Sequence, residues 1–222
     1  VSSALAFYGS ALREAARGRE SDLDLVDPHS HRPVRRLALG EWCAGLRPGD
    51  HGVLDRCTGR SLDVGCGPGR LVAALTATGR TALGVDISAE AVRQARRRGA
   101  PAQQADIFAP VAGEGSWQHV LLADGNIGIG GDPYRLLHRC RELLAPGGEV
   151  IVEVDPQGAR SWRGQVSIRH HGRMSHPFPW AAVAVDDLPD LAAAAAFTMS
   201  ERWQQAQRWF ARLVPAAAAT RT

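Results

Sequence analysis

The strand-like Leu62-Asp63-Val64 runs into Gly65-Cys66-Gly67-Pro68-Gly69, and then into the apolar run Leu71-Val72-Ala73-Ala74-Leu75. A strand passing through bare backbone into a helix aims N–H groups and a helix N-terminus at one point. That point is the ligand crevice of an open α/β sheet. Spacing narrows the ligand. A dinucleotide fingerprint wants glycines at positions one, three and six, but counting from Gly65 the sixth is Arg70 and the last glycine falls at Gly69. A P-loop needs Gly-Lys-Ser/Thr, and the chain has no lysine. A second strand, Thr81 to Val85, ends at Asp86, seventeen residues after Gly69. A carboxylate at that strand end can take both hydroxyls of a ribose. Asp106 closes a weak third strand beside where an adenine would rest. The set reads as an adenosine site with no required pyrophosphate.

The elements that must position these residues follow from periodicity. An amphipathic helix is expected over 4–17, a polar stretch from Glu20 to Arg36, and helices near 35–45 and 50–57. Strand and helix then alternate: SLDV, a helix from Gly69 to Thr78, TALGV, a helix capped by Ser88, and the short APAQQAD strand. WQHVLLAD is a fourth strand. A glycine-rich loop, GNIGIGG, follows it, and then a helix with Asp132 as N-cap and Pro133 in its first turn. Pro146-Gly147-Gly148 should end that helix, and EVIVEV should be a fifth, central strand. Beyond Asp155 come a hairpin turning near His171-Gly172, an Ala-rich helix over 187–196, and an antiparallel pair, TMSERWQQAQ with RWFARLV. The fold class is therefore α/β. The expectation is a Rossmann-like, mostly parallel seven-stranded sheet with an antiparallel last strand and helices on both faces. An N-terminal helical cap (1–57), a cofactor-binding core (58–155) and a region with a hairpin insertion after strand 5 (156–222) make one domain.

Composition excludes several classes. The 222 residues are 45% hydrophobic and 22% charged, with a net charge of +3, as for a soluble globular protein. All the basic residues besides histidine are arginine, dispersed rather than gathered into a nucleic-acid-binding stripe. There is no membrane-span pattern and no signal-peptide pattern at the start, so the expected location is cytoplasmic. The four cysteines form no CxxC pair and no zinc-ligand spacing, so no metal is expected.

Taken in order, DVGCGPG, GVDIS, AD, LLAD and LLAPGGEVIVEV resemble the motif series of class I S-adenosylmethionine-dependent methyltransferases, of the bacterial small-molecule type, over about residues 60–155. The resemblance implies S-adenosylmethionine as methyl donor, S-adenosylhomocysteine as product, and a small-molecule acceptor that includes secondary metabolites. It assigns Gly65, Cys66 and Gly67 to the methionine portion and Gly69 to close helix packing. Asp63 would fix the loop or meet the amino group, and Asp86 would meet the ribose. Ile87, Asp106 and Ile107 would meet the adenine. Asp124 and Asn126 would hold the methionine end or the acceptor, and Tyr8 would cover the cofactor.

Methyl transfer from a sulfonium is an in-line displacement for which the protein mainly supplies alignment and a dry pocket. A base, where one is used, has candidates in His29, His31 and His176, with His170 and His171 nearby in the insertion, and Asn126 is the best-placed polar candidate for a catalytic role. His119 opens the fourth strand at the wrong end for chemistry and is structural. Phe178 and Trp180 either line an apolar pocket or pack the hairpin. Departures from the family pattern are the absence of an NPPY-like tetrapeptide, with Asp124-Gly125-Asn126-Ile127 in its place, and of an acidic metal-binding set. Both favour a metal-independent enzyme, monomer or homodimer, acting on a small molecule rather than on nucleic acid. The competing readings are a non-catalytic nucleoside-binding module and an NAD-dependent oxidoreductase.

Overall fold

The computed structural model describes residues 3–19 and 23–217. Ser3 accepts from the Ala6 N–H at 3.3 Å and caps α1 (Ala4–Ala15), which turns Phe7, Ala11 and Leu12 inward. The next segment corrects the expectation of a purely helical cap. Leu23–Val26 (β1) and Pro33–Arg36 (β2) pair antiparallel, and Asp27 Oδ1 organises their turn by accepting from the His29 and Ser30 N–H groups. Glu20, Ser21 and Asp22 of the polar stretch lie outside the described residues. The charges made this stretch read as polar. Leu23 and Leu25 nevertheless alternate onto one face and pack with Leu12 of α1, and burying them outweighs the charge pattern. With Arg35 and Arg36 drawn into β2, the helix expected over 35–45 shortens to α2 (Leu39–Cys43).

From α3 (Asp50–Arg56) onward the expected alternation stands. β3 (Ser61–Val64), α4 (Arg70–Ala77), β4 (Ala82–Asp86), α5 (Ala89–Arg97) and β5 (Ala102–Gln104) form one half. β6 (Trp117–Leu122), a 3₁₀ turn over Asn126–Gly131, α6 (Pro133–Leu143) and β7 (Leu144–Val154) begin the other. Asp132 caps α6 by accepting from the Arg135 N–H at 3.1 Å. α6 stops at Leu143 and β7 begins at once, so Pro146-Gly147-Gly148 lies within the strand's first turn of pairing rather than in a separate stop. Then follow β8 (Trp162–His170), β9 (Arg173–Met174), β10 (Phe178–Ala182), α7 (Leu188–Ala194), β11 (Phe197–Gln205) and β12 (Arg208–Pro215).

The central sheet has seven strands in the order β11-β12-β7-β6-β3-β4-β5, with β12 antiparallel to both neighbours and the rest parallel. Alternate residues feed two cores. Leu62, Val64, Val120, Leu122, Val150 and Val152 pack with α6 and α7, while Leu121, Ile151 and Phe210 pack with α3, α4 and α5. That double burial explains the unbroken apolar run in β7. The hairpin after β7 is present with its turn at His171-Gly172. Its strands pair further than the sequence showed, because β8 also pairs with β1, giving a second sheet in the order β10-β8-β1-β2 with β9 on β8. No helix among the described residues is long and apolar enough to cross a membrane.

Gly69 fixes the distance between the first loop and α5. Its φ is +77°, and a Cβ there would lie 2.7 Å from the Ala95 Cβ and 2.9 Å from the Ala100 Cβ. Gly69→Ala combines a left-handed backbone with overpacking and should destabilise the protein by about 2–4 kcal/mol. Urea unfolding should show a lower midpoint with an unchanged slope.

Candidate functional site

β3 and β6 are neighbours, but the helices that follow them, α4 and α6, lie on opposite faces of the sheet. The crevice beyond their carboxyl ends is therefore left open, as at any switch point of a doubly wound sheet. A cavity of about 410 Å³ fills it, lined by the loops after both strands. Gly65 needs its bareness: φ is +72°, and a Cβ would fall 2.6 Å from Asn126 Nδ2. That amide donates to the Val64 and Gly65 carbonyls at 2.8 and 2.9 Å, so Asn126 pins one loop to the other. Cys66 turns its thiol into the core, where burial pushes it well above the ordinary range, and leaves its backbone at the cavity.

At one end of the cavity the Asp86 carboxylate accepts from the Gly67 N–H at 2.9 Å and the Ser88 N–H at 2.8 Å. Desolvation raises this carboxyl, and the two backbone donors act against the rise. Beside it Ile87 stands half exposed at the cavity wall, although it is a large hydrophobe. Asp106 is at the exposed rim with Oδ1 accepting from the Phe108 N–H, and Ile107 reaches the wall from the core. Tyr8 comes from α1 and lies over the loop, its hydroxyl 3.4 Å from where a Gly67 Cβ would be. Burial, and then the Asp86 carboxylate, push its phenol well above its usual value. Asp63 and Gly69 do not line the cavity but lie beneath it.

The other end is apolar. Leu25, Trp42, Ile168, Phe178 and Trp180 form its walls, all from the N-terminal cap and the insertion. Phe178 and Trp180 thus do both things expected of them, since they also pack on the third core cluster. Arg35 is the cation in that wall, ion-paired with Asp155. Three of the candidate bases are elsewhere. His29 and His31 sit exposed on the β1–β2 turn, and His176 is exposed on the loop between β9 and β10. The hairpin that sequence reading missed explains the first two, because its tip carries them away from the crevice. His119 is buried against Glu149, Nδ1 to Oε1 3.1 Å, at the far end of the sheet.

The cavity floor is a charge network that motif reasoning did not find, with Arg70 and Asp124 lining the cavity. Arg70 donates to both Asp50 oxygens, Nε–Oδ2 at 2.8 Å and Nη2–Oδ1 at 3.0 Å, and to Asp124 Oδ2 at 2.5 Å. Arg208 spans Asp50 Oδ1 (2.7 Å) and both Glu153 oxygens (2.8 and 2.7 Å), and Arg47 Nη1 reaches Asp124 Oδ1 at 2.6 Å. Three arginines thus face three carboxylates. Burial would raise the Asp50 carboxyl, but the Arg70 and Arg208 guanidiniums outweigh it and hold it below the usual range. Asp124 keeps a left-handed backbone, φ +56°, with its N–H donated to Glu153 Oε2 at 2.6 Å. One signal was available in the sequence: a cation at the first position of a helix opposes the macrodipole, so Arg70 needed acidic partners. Asp63, next to the network, is raised to about 8, chiefly by desolvation and then by Asp124, Asp86 and Asp50, with Arg70 opposing.

Removing a carboxylate strands the arginines it serves. Asp50→Asn should cost about 3–5 kcal/mol because Arg70 and Arg208 each lose a buried partner. Among the described residues Glu41 pairs only with Arg47, at 2.7 Å, and it is 60% exposed. Glu41→Gln should therefore stay within about 0.5 kcal/mol of the parent. Denaturant titration of both variants reads the contrast.

Comparisons with known proteins agree with this geometry. Residues 62–148 match the Methyltransferase domain family. A ubiquinone biosynthesis O-methyltransferase of Klebsiella pneumoniae is 29% identical over 157 residues, covering 67% of this chain and 61% of that protein. The match thus spans about three fifths of the curated relative. A methyltransferase from Bacteroides fragilis, solved in complex with S-adenosylhomocysteine, superposes with a TM-score of 0.78 at 20% identity and covers 97% of each chain. The sugar N-methyltransferase KedS8 from Streptoalloteichus superposes with a TM-score of 0.54 at 18% identity, covering 75% of this chain and 85% of that one. The motif series, the strand order and the switch-point cavity thus give the chain the fold of the S-adenosylmethionine-dependent methyltransferases, and residues 62–148 are similar to their methyltransferase domain.

Proposed function

We propose that this protein moves the methyl group of S-adenosylmethionine onto a nucleophilic O, N or C atom of a small, largely apolar acceptor. One observation carries the reading: a single cavity joins a nucleoside-shaped end to an aromatic end. The first end offers bare backbone at Gly65 and Gly67, the Asp86 carboxylate and the half-exposed Ile87. The second offers Trp42, Phe178 and Trp180 with the Arg35 guanidinium. The residues suit the donor. Asp86 is held rigid by two backbone donors, so it meets a ribose without reorganising. Ile87 gives an apolar face to an adenine. Tyr8 closes the loop side against water.

When bound, the donor supplies an already activated methyl on a sulfonium, so the chain's own residues supply alignment and exclusion of water. Asn126 sets the distance between the two loops at the point where the cavity's halves meet. The aromatic walls present a flat apolar acceptor edge-on to that point, and Arg35 favours an acceptor with an anionic or electron-rich oxygen. Relatives of this fold are described as acting on chemically different acceptors. The Klebsiella protein is named an O-methyltransferase and KedS8 a sugar N-methyltransferase.

Calorimetry with S-adenosylhomocysteine tests the reading. One equivalent should bind, and Asp86→Asn should weaken binding about 10–100-fold, the value of a hydrogen bond to a charged group. Binding of a nicotinamide dinucleotide with no heat from S-adenosylhomocysteine overturns it. A pH linkage should accompany binding. The Asp63 carboxyl, at about 8, holds its proton at pH 7, and an ammonium group bound in the cavity above it favours the ionised form. Up to one proton should therefore be released at pH 7, read from enthalpies in buffers of different ionisation heat, and Asp63→Asn should abolish the release. The stability sign follows. Unfolded aspartate loses its proton near pH 4 and folded Asp63 near 8, so the stability from this group is full in acid and lost as pH rises through 8. Stability relative to Asp63→Asn should fall over that window.

A further inference from the structure

Away from the cavity, three side chains converge between the N-terminal helix and the insertion. Glu14 lies in the last turn of α1, His170 ends β8, and His171 opens the two-residue turn to β9. Consecutive strand residues point to opposite faces, so neighbouring histidines should diverge. Here the turn prevents it. His171 and Gly172 have φ of +49° and +71°, the left-handed pair of a tight hairpin in which Asn-Gly is the usual choice. The left-handed backbone swings the His171 ring back beside His170, with centroids 4.0 Å apart. Glu14 Oε2 then lies 3.3 Å from His170 Nε2 and 2.9 Å from His171 Nε2.

We propose that Glu14, His170 and His171 form a site for one divalent transition cation of the zinc type. Two imidazole nitrogens and a carboxylate oxygen are donors that zinc prefers. One donor atom from each residue lies within 4.8 Å of the other two. Tetrahedral bonds of about 2.0–2.1 Å put donor atoms about 3.3 Å apart, so the carboxylate need retreat only a few tenths of an ångström. His170 is buried at 5% side-chain exposure while His171 is 62% exposed, which leaves the fourth position facing solvent. Sequence spacing gave no sign of it, because Glu14 is 156 residues from His170 and adjacent histidines match no zinc pattern. The consequence is mechanical. Tyr8 lies on the same helix as Glu14, and Ile168 lies two residues before His170; both line the cavity. A bound cation ties the two walls together and stiffens the cover. The inference does not rest on the methyl-transfer reading.

The test uses the full chain after chelator treatment. Titration with ZnCl₂ should show one equivalent bound with a dissociation constant in the micromolar range or below and a raised thermal midpoint. CoCl₂ should give the visible absorption of a four-coordinate, thiolate-free site. His171→Asn keeps a residue suited to the turn and removes one ligand, so affinity should fall at least 10-fold while the circular dichroism stays unchanged. Glu14→Gln should do the same. Three results overturn the proposal: no binding by the native chain, unchanged affinity in His171→Asn, or a cobalt–thiolate band showing that cysteines take the metal. In each, Glu14 is only a hydrogen-bond acceptor for two imidazoles.

Discussion

The structure depends on burying charge beneath an open crevice. A doubly wound sheet splits where its helices part, and the floor of that split must be rigid while the space above it stays empty for ligands. Here the floor is the bidentate Arg70–Asp50 pair, extended by Arg208, Arg47, Asp124 and Glu153. Each buried ion costs several kcal/mol in desolvation, and mutual pairing offsets that cost only in one arrangement. The network's yield is thus geometric. Asp50 starts α3, Arg70 starts α4, Asp124 follows β6, Glu153 lies on β7 and Arg208 on β12, so five elements are held at one depth. The left-handed Asp124 backbone, disfavoured by about 1–2 kcal/mol, persists because its neighbours over-determine it.

Legibility in the sequence followed the range of the interactions. The parallel core was readable because strand, cap and helix signals are local: Ser88 and Asp132 cap the helices expected of them, and EVIVEV carries two buried faces. The glycine loop and Asp86 were readable because fixed spacing along the chain becomes fixed spacing in space. The residues named for the donor gather along the cavity, with Asp63 and Gly69 beneath it. Three things escaped. The β1–β2 hairpin was hidden because two leucines on one face outweigh a charged composition that a window average registers as loop. The placement of His29 and His31 depended on that hairpin. The ion network joins residues up to 158 positions apart, for which no local pattern exists.

Two sequence-distant segments build the cap. β1 pairs with β8, so a hairpin near the N-terminus and an insertion after β7 become one sheet over the crevice. α1 packs on the same layer, with Leu12 and Phe7 against Leu23 and Ile168. Whatever fixes α1 to β8 therefore also fixes the aromatic walls of the cavity.

This division also accounts for how the fold diverges. In the proposed function the donor end uses peptide groups, one carboxylate and one apolar face, all set by backbone geometry. In the same reading the acceptor end uses side chains such as Trp42, Phe178, Trp180 and Arg35. Structural neighbours can thus share the sheet at 18–20% identity, and KedS8 covers only 75% of this chain while the Bacteroides structure covers 97%. Arg35 is already neutralised by Asp155 in this structure. An acceptor that engages Arg35 must replace that carboxylate in kind. On the proposed function, an oxygen acid can do so and a plain hydrocarbon cannot.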